Sequence, residues 1–377
     1  MYDITIVGAG IAGLAFALTA VEAGKKVLII EKNEQAQGAS IRNFGMVLPL
    51  GMPKGNALNR AIRSRDRWID YAKKANFWAN PCGMLMAAHH EDEMTAMEEF
   101  HRSHSQPPYR TRLLDADQAQ VICPGLNARG LVGGLLSQTE VQINPQQAIV
   151  QLTQYLAKFD NARLEFSTRA LTFSSSDDCV HLMTTQGEFK TKQLICCPGH
   201  EFHELLPTRD TEQPIQCKLQ MLRTIGQKNN WAFGAMMSTG LSMIHYPAFE
   251  HVKSLSDVKE RVDMEYPELI ENGIHLLAAQ NQLGEITLGD SHHYGKDLDP
   301  FIDQNVNQMI IDYAKKVLKL PDWTIKQQWI GTYSKSTTDH VYWTQPQDNV
   351  FLITGLGGTG MSTSFAIAEE WLAEHHH

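Results

Sequence analysis

Three stretches of this 377-residue sequence predict an α/β chain, α+β overall, in which a Rossmann-type dinucleotide-binding domain is interleaved with a β-rich domain. Met1 to Lys32 reads as strand, glycine turn, helix and strand. Gln193 to Gly199 reads as a buried strand with a small-residue end. Asn349 to Ala373 is again strand, glycine turn and helix, more than 300 residues after the first turn.

In the first stretch, Asp3-Ile-Thr-Ile-Val7 is an apolar run suited to a buried parallel strand. It ends in Gly8-Ala-Gly10-Ile-Ala-Gly13, a G-x-G-x-x-G. A helix from Ile11 to Ala23 stops at Gly24, and Lys26 to Ile30 forms a second strand. Gly8 permits the tight turn, Gly10 lets backbone approach a pyrophosphate, and Gly13 lets helix and strand pack closely. The pyrophosphate belongs at the positive helix N-terminus, which makes Ile11 and Ala12 candidates as well. Glu31 lies 18 residues past Gly13, where an acid can accept from ribose hydroxyls; Lys32 adjoins it. A glycine-rich turn alone is common, but here strand, turn, helix, strand and acid occur in the required order.

After Glu31, Gly38-Ala-Ser-Ile-Arg-Asn-Phe-Gly-Met-Val-Leu-Pro49 mixes turn residues with apolar ones and reads equally as a loop over a ligand or a plain turn. Leu58 to Asn76 predicts an amphipathic helix burying Ile62, Trp68, Ile69 and Ala72, with Arg60, Arg63, Arg65 and Arg67 on a solvated or salt-bridged face. Short strands such as Gly83–Ala87, a charged helix near Glu91 to Ser103 and a Pro107-Pro108 loop follow. His89, His90, His101 and His104 read as surface histidines, and no metal site is expected. Pro145 opens a helix running to about Lys158. Strands are predicted at 164–166, 170–173, 179–183, 188–192 and 193–197, the last closing on Pro198-Gly199. Residues 214–295 read as a second β-rich block containing a hairpin, Ile274–Ala279 with Glu285–Asp290; a polar helix covers about Phe301 to Leu318. In the third stretch, Gly355-Leu-Gly-Gly-Thr-Gly360 offers a second helix N-terminus, opening at Met361, to the same ligand. The resulting domains are 1–76, 141–213 and 325–377 for the cofactor, and 77–140 and 214–324 for the substrate.

Composition narrows the function classes. The chain is 43% hydrophobic and 20% charged, and its net charge of −9 opposes a nucleic-acid surface. The six cysteines lack CxxC or His/Cys ligand spacing, as expected of free thiols in a reducing cytoplasm. No apolar run reaches 18 residues, so no spanning helix is expected, and a strand starting at Asp3 leaves no room for a secretion signal. The terminal His375-His376-His377 reads as the remnant of a purification tag.

The N-terminal fingerprint with Glu31, the loop Gly38-Ala-Ser40…Asn43…Gly45, the strand end Cys196-Cys-Pro-Gly199 and the Gly355–Gly360 turn together resemble the D-amino-acid oxidase, glycine oxidase and sarcosine oxidase superfamily. The resemblance spans essentially the whole chain. It implies FAD rather than NAD, with ADP on the first βαβ unit. The isoalloxazine would lie near Gly38, Ala39, Ser40, Arg42, Asn43, Phe44 and Gly45. Cys197, Gly199 and the turn of Gly355, Gly357, Gly358, Thr359, Gly360 and Met361 would complete the site, and Ala170 resembles the position whose backbone meets adenine. More narrowly, the 38–47 loop, Ile244-His-Tyr-Pro-Ala-Phe249 and Gly289-Asp-Ser-His-His-Tyr294 resemble a branch linked to bacterial phosphonate catabolism, which is thought to oxidise N-alkylated 2-aminoethylphosphonates.

The departures from the family refine this. Its amino-acid oxidases place an Arg shortly after the strand at Trp329-Ile-Gly331 to pair with the substrate carboxylate. Here Ser334 aligns with it, beside Lys335, so a tetrahedral anion held by hydroxyls, imidazoles and a point-charge Lys fits better than a planar acid. Thr332 stands near the Cys through which sarcosine oxidases attach flavin, so FAD is expected to be noncovalent. The implied reaction is hydride transfer from the amine's α-carbon to flavin, then imine hydrolysis, with the cofactor carrying the chemistry. Arg42, His292, His293, Tyr246, Tyr333 and Lys335 are the candidate substrate-side residues, with His245 shaping the same site. Only one of His292 and His293 can face inward on a strand. Met221, Met236 and Met237 read as core. Alternatives are a D-amino-acid, glycine or sarcosine-type oxidase or dehydrogenase, and a flavin-bound subunit without turnover. Oxygen or quinone as electron acceptor, and the oligomeric state, stay open.

Overall fold

The computed structural model describes residues 1–205, 213–338 and 340–375; Asp339 and the His376-His377 part of the expected tag lie outside them. Among the described residues, an eight-stranded sheet is built on parallel pairs. Tyr2–Val7 lies between Val27–Ile30 and Gly187–Cys196, with Ala162–Glu165 and Val350–Thr354 flanking. Ala170–Ser175, Val180–Thr184 and Tyr342–Gln347 extend it antiparallel. Both faces are covered, which is why its central strands are continuous apolar runs. Ile4, Ile6, Val27 and Ile29 pack with the helices Ile11–Glu22, Asn56–Ala75, Pro145–Leu156 and Gly360–Glu374. Leu28, Ile30 and Leu194 meet Val180 and Leu182 on the other face.

The long amphipathic helix starts two residues earlier than the sequence suggested, at Asn56, and ends at Ala75. Its fully buried Trp68 donates Nε1–H to Met361 O at 2.7 Å and meets Phe365 edge-on at 5.2 Å. Ile62, Ile69 and Ala72 are only partly buried. Its arginines clamp the C-terminal helix: Arg60 and Arg63 pair with Glu370, and Arg67 with Glu369. The strands predicted separately at 188–192 and 193–197 are one strand, Gly187–Cys196. Its first half pairs antiparallel with Val180–Thr184 and its second half parallel with Val350–Thr354, so a change of partner, not a turn, divides it.

The second sheet has nine strands among the described residues, running from His293–Gly295 through Ile215–Thr224 to Thr111–Asp115. The predicted hairpin is present as Leu277–Gln280 with Ile286–Gly289. The 214–295 block is not purely β: Leu255–Glu265 and Pro267–Glu271 are helical, and Pro267 at the first turn separates them. The polar helix begins at Gln304 rather than Phe301 because the Asp303 side chain caps Asn305 N at 2.8 Å. The strand Ile325–Lys335, grouped with the cofactor domain by sequence, pairs along Ile215–Thr224 in this second sheet. Its last residue bridges to Leu356, so it joins the two sheets beside the Gly355–Gly360 turn.

Candidate active site

An elongated cavity of about 530 Å³ runs from Glu31 to the second sheet. At its first end the backbone sets the shape. Gly8 has φ +102°, and a Cβ there would lie 2.5 Å from Cys197 O. A Cβ on Gly13 would lie 1.8 Å from Gly8 O. Gly10 is constrained differently from the sequence expectation: a Cβ there meets Ser40 Oγ at 3.0 Å. That hydroxyl accepts from Ile11 N at 2.8 Å and so pins the 38–45 loop to the helix start. The N-cap residue Gly10 supplies no side chain and the first turn of the Ile11–Glu22 helix holds no acid, so beyond the Ile11 N–H taken by Ser40 the helix leaves a positive end for an anion. Glu31 is buried, with Oε2 accepting from Ala9 N and Oε1 from Asn33.

Midway, the second helix N-terminus is likewise without a side-chain cap or first-turn acid. Ser334 is buried and turned into the protein: its Oγ lies 3.0 Å from Gly199 O and 2.6 Å from Thr354 Oγ1, and accepts from Gly355 N at 2.9 Å. It ties two cofactor-side segments, Gly199 and Thr354-Gly355, to the strand Ile325–Lys335. The neighbouring Lys335 is exposed, with Nζ 5.1 Å from the Tyr294 ring centroid. Arg42 donates to Ile330 O at 3.4 Å, at the edge of the second sheet.

At the far end three imidazoles stack. His245 and His275 have ring centroids 3.8 Å apart, and His275 and His292 4.1 Å apart at 29°. Tyr333 meets His292 at 6.5 Å. Burial pushes His275 well below its ordinary pKa, with help from charge on His292 and His245. Burial and His292 take His245 down to about 4. Asp290 is raised by burial against the attraction of His292. Burial also raises Tyr246, Tyr294 and Tyr333, keeping their hydroxyls protonated. His275, Asp290 and His292 bring possible ligand atoms within 4.8 Å of one another. Yet a ring nitrogen holds a metal in its own plane at about 2 Å. Two rings lying face to face do not aim at one such point; the trio is linked instead by ring stacking and by backbone, with His292 Nδ1 2.9 Å from Gly273 O and His275 N donating to Asp290 O at 2.8 Å.

The residues matched by a family model described as FAD dependent oxidoreductase (DAO) are 3–375. The chain belongs to this family of FAD-dependent oxidoreductases. A relative from Shewanella amazonensis, the tRNA 5-methylaminomethyl-2-thiouridine biosynthesis bifunctional protein MnmC, is 23% identical over 97% of this chain and 55% of its own length. A second from Aliivibrio fischeri is similar, at 22% over 97% of the chain and 54% of its own length, so the chain spans about half of these curated relatives. Glycine oxidase from Bacillus cereus superposes with a TM-score of 0.77 at 16% identity, over 99% of this chain and 96% of that one.

The cavity fits FAD. Two helix N-termini without first-turn acids and a cradle of glycines that Cβ atoms would fill suit a diphosphate and an electron-rich ring. Glu31 keeps further acceptor capacity, since a carboxylate has about four lone-pair sites. Of the residues expected to bind FAD, Gly8, Gly10, Ile11, Ala12, Glu31, Lys32, Gly38, Ala39, Ser40, Arg42, Asn43 and Phe44 line the cavity, as do Ala170, Cys197, Gly199 and those of the 355–361 turn. Gly13 and Gly45 do not; they act behind the wall, where a Cβ on Gly45 would lie 2.0 Å from Ile143 O. Arg42, Tyr246, His292, Tyr333 and Lys335 come together along the lining, whereas His293 does not line it and faces Asn272 Oδ1 at 3.2 Å. Met221 lines the cavity rather than serving core alone, and Met236 and Met237 are fully buried. The histidines at 89, 101 and 104 are half-buried and hydrogen-bonded rather than free at the surface. Sequence reading missed His275 and Asp290. Asp290 lies two residues before His292 in the connection between the strands Ile286–Gly289 and His293–Gly295, where no strand periodicity marks it. Among the described residues no helix is long and apolar enough to cross a membrane.

Proposed function

We propose that this chain, with FAD bound, oxidises a small anionic amine, best fitted by an N-alkylated 2-aminoethylphosphonate. The observation that carries this reading is Ser334. The position expected to hold a carboxylate-pairing Arg carries a hydroxyl committed to Gly199, Thr354 and Gly355. The cavity instead offers Lys335 and Arg42 as cations, in a lining that also holds imidazoles and phenols. A point-charge ammonium suits a tetrahedral dianion better than a planar carboxylate. The Shewanella relative is named for a 5-methylaminomethyl nucleoside, which also contains an N-alkyl amine.

When bound, FAD supplies a two-electron acceptor for the amine's carbon–nitrogen bond, and hydrolysis of the imine gives a carbonyl compound and a smaller amine. The chain's residues position and desolvate. Leu219, Met221 and Leu277 give the substrate end an apolar wall that excludes water from the reacting carbon. Lys335 and Arg42 hold the anion. Thr332 offers no sulfur for attachment, and Cys197 in the lining is a buried thiol raised further by burial, so FAD is held noncovalently.

A side-by-side steady-state assay on N-methyl-2-aminoethylphosphonate, glycine, sarcosine and D-alanine tests the substrate class. The phosphonate is expected to lead in kcat/KM by at least about tenfold, or ~1.4 kcal/mol of transition-state binding. Preference for glycine or D-alanine would overturn the reading in favour of an amino-acid oxidase.

A further inference from the structure

We propose that Asp290, backed by His292, accepts the N–H of the substrate amine and takes up the proton that the ammonium form must lose before oxidation. This rests on the amine reading above, but not on the phosphonate.

Asp290 lines the cavity and is 6% exposed. Its Oδ1 has no hydrogen-bond partner. A buried carboxylate oxygen without a partner is costly, so one left at the substrate end of a cavity calls for a donor from the ligand. Tyr246 Oη, also buried and unpartnered, belongs to the same lining.

The second carboxylate oxygen fixes the state of the cluster. His292 Nδ1 lies 2.9 Å from Gly273 O. A carbonyl only accepts, so Nδ1 carries the hydrogen and Nε2 is the nitrogen left to face Asp290 Oδ2, 3.7 Å away. A bare lone pair opposite a carboxylate is repulsive, so we place one proton between Nε2 and Asp290 when the cavity is empty, besides the hydrogen on Nδ1. A second positive charge is opposed on every side. His275 and His245 stack on His292, and Lys335 acts on both of them. The phenols of Tyr246, Tyr294 and Tyr333 and the thiol of Cys217 are neutral, all raised by burial.

An arriving ammonium therefore exceeds what the cluster can hold. Its N–H bond breaks, the proton passes to Asp290 Oδ1, and the bonding pair remains on nitrogen as the lone pair that oxidation requires. The proton already held by the pair leaves through His292 to water. One proton is released per amine bound, with no oxidant or reductant consumed.

Calorimetry on the FAD-loaded protein tests this at pH 7 in two buffers of different ionisation enthalpy. The probe is 2-amino-2-methylpropylphosphonate, which has no C–H beside nitrogen and cannot be oxidised there. Release of close to one proton per site is expected. Binding without proton release would overturn the proposal. 2-Aminoisobutyrate is run in parallel. If it binds with proton release while the phosphonate does not bind, the role of Asp290 stands and the phosphonate reading falls. In Asp290→Asn the proton release is expected to vanish. The acid limb of kcat/KM should move to higher pH, with kcat/KM at pH 7 down about 100-fold. An unchanged acid limb in a flavin-loaded D290N protein would also overturn it.

Discussion

The two ends of the cavity are built in opposite ways. The dinucleotide end is made of backbone. Gly8, Gly10 and Gly13 keep atoms out of the way, and two helix starts supply N–H groups. The substrate end is made of side chains. His245, His275, Asp290, His292, Tyr333 and Lys335 arrive from separate stretches of the second sheet and its connections. The first end should therefore fail when atoms are added, and the second when atoms are removed.

The sharpest test of that contrast is Gly13→Ala. Its new Cβ would sit 1.8 Å from Gly8 O, a backbone atom that cannot rotate aside. A loss of about 3 kcal/mol is expected, together with a protein that purifies without flavin, checked by visible absorbance after gel filtration. Normal flavin content would break the comparison. At the other end, Lys335→Ala should keep full flavin content and raise KM for the phosphonate amine about tenfold, the loss of one charge-assisted contact. Loss of flavin in that variant would mean that Lys335 belongs to the cofactor end.

The difference in construction explains what could be read from sequence. Glycine turns are local, and their spacing encodes strand, turn and helix directly, so Gly8 to Glu31 and Gly355 to Gly360 were legible. The substrate end depends on register between distant strands. His293 was placed beside His292 because neither the strand's face nor the partner Asn272 can be read from the pair alone. His275 was invisible because its role comes from ring stacking across the hairpin, where its N–H bonds Asp290 O at 2.8 Å. That residue 334 is a serine and not an arginine is plain in the sequence, but its bonds to Gly199 and Gly355 are set by the fold.

Acid should also separate the ends. In the fold His275 lies well below its ordinary value and His245 near 4. The unfolded chain, at about 6.5, protonates first as pH falls. Stability is therefore unaffected above that value and drops as pH falls toward 4, with the raised Asp290 opposing part of the loss. Melting temperature at pH 5 against pH 7.5 should fall by several degrees, and by about 3 °C less in His275→Asn. An equal fall in both would remove the histidine stack from the explanation. The smallest effect is expected from Glu370→Ala at the half-buried clamp with Arg60 and Arg63. It should cost about 0.5 kcal/mol and leave both ends of the cavity intact.

The central claim is that the two ends together oxidise an amine. Anaerobic mixing of the FAD-loaded protein with N-methyl-2-aminoethylphosphonate measures this directly. The account predicts that the visible flavin band bleaches within the dead time or as a single fast phase. A flavin that stays yellow with this amine, and with glycine and sarcosine as well, would contradict it and leave a flavin-binding protein without turnover.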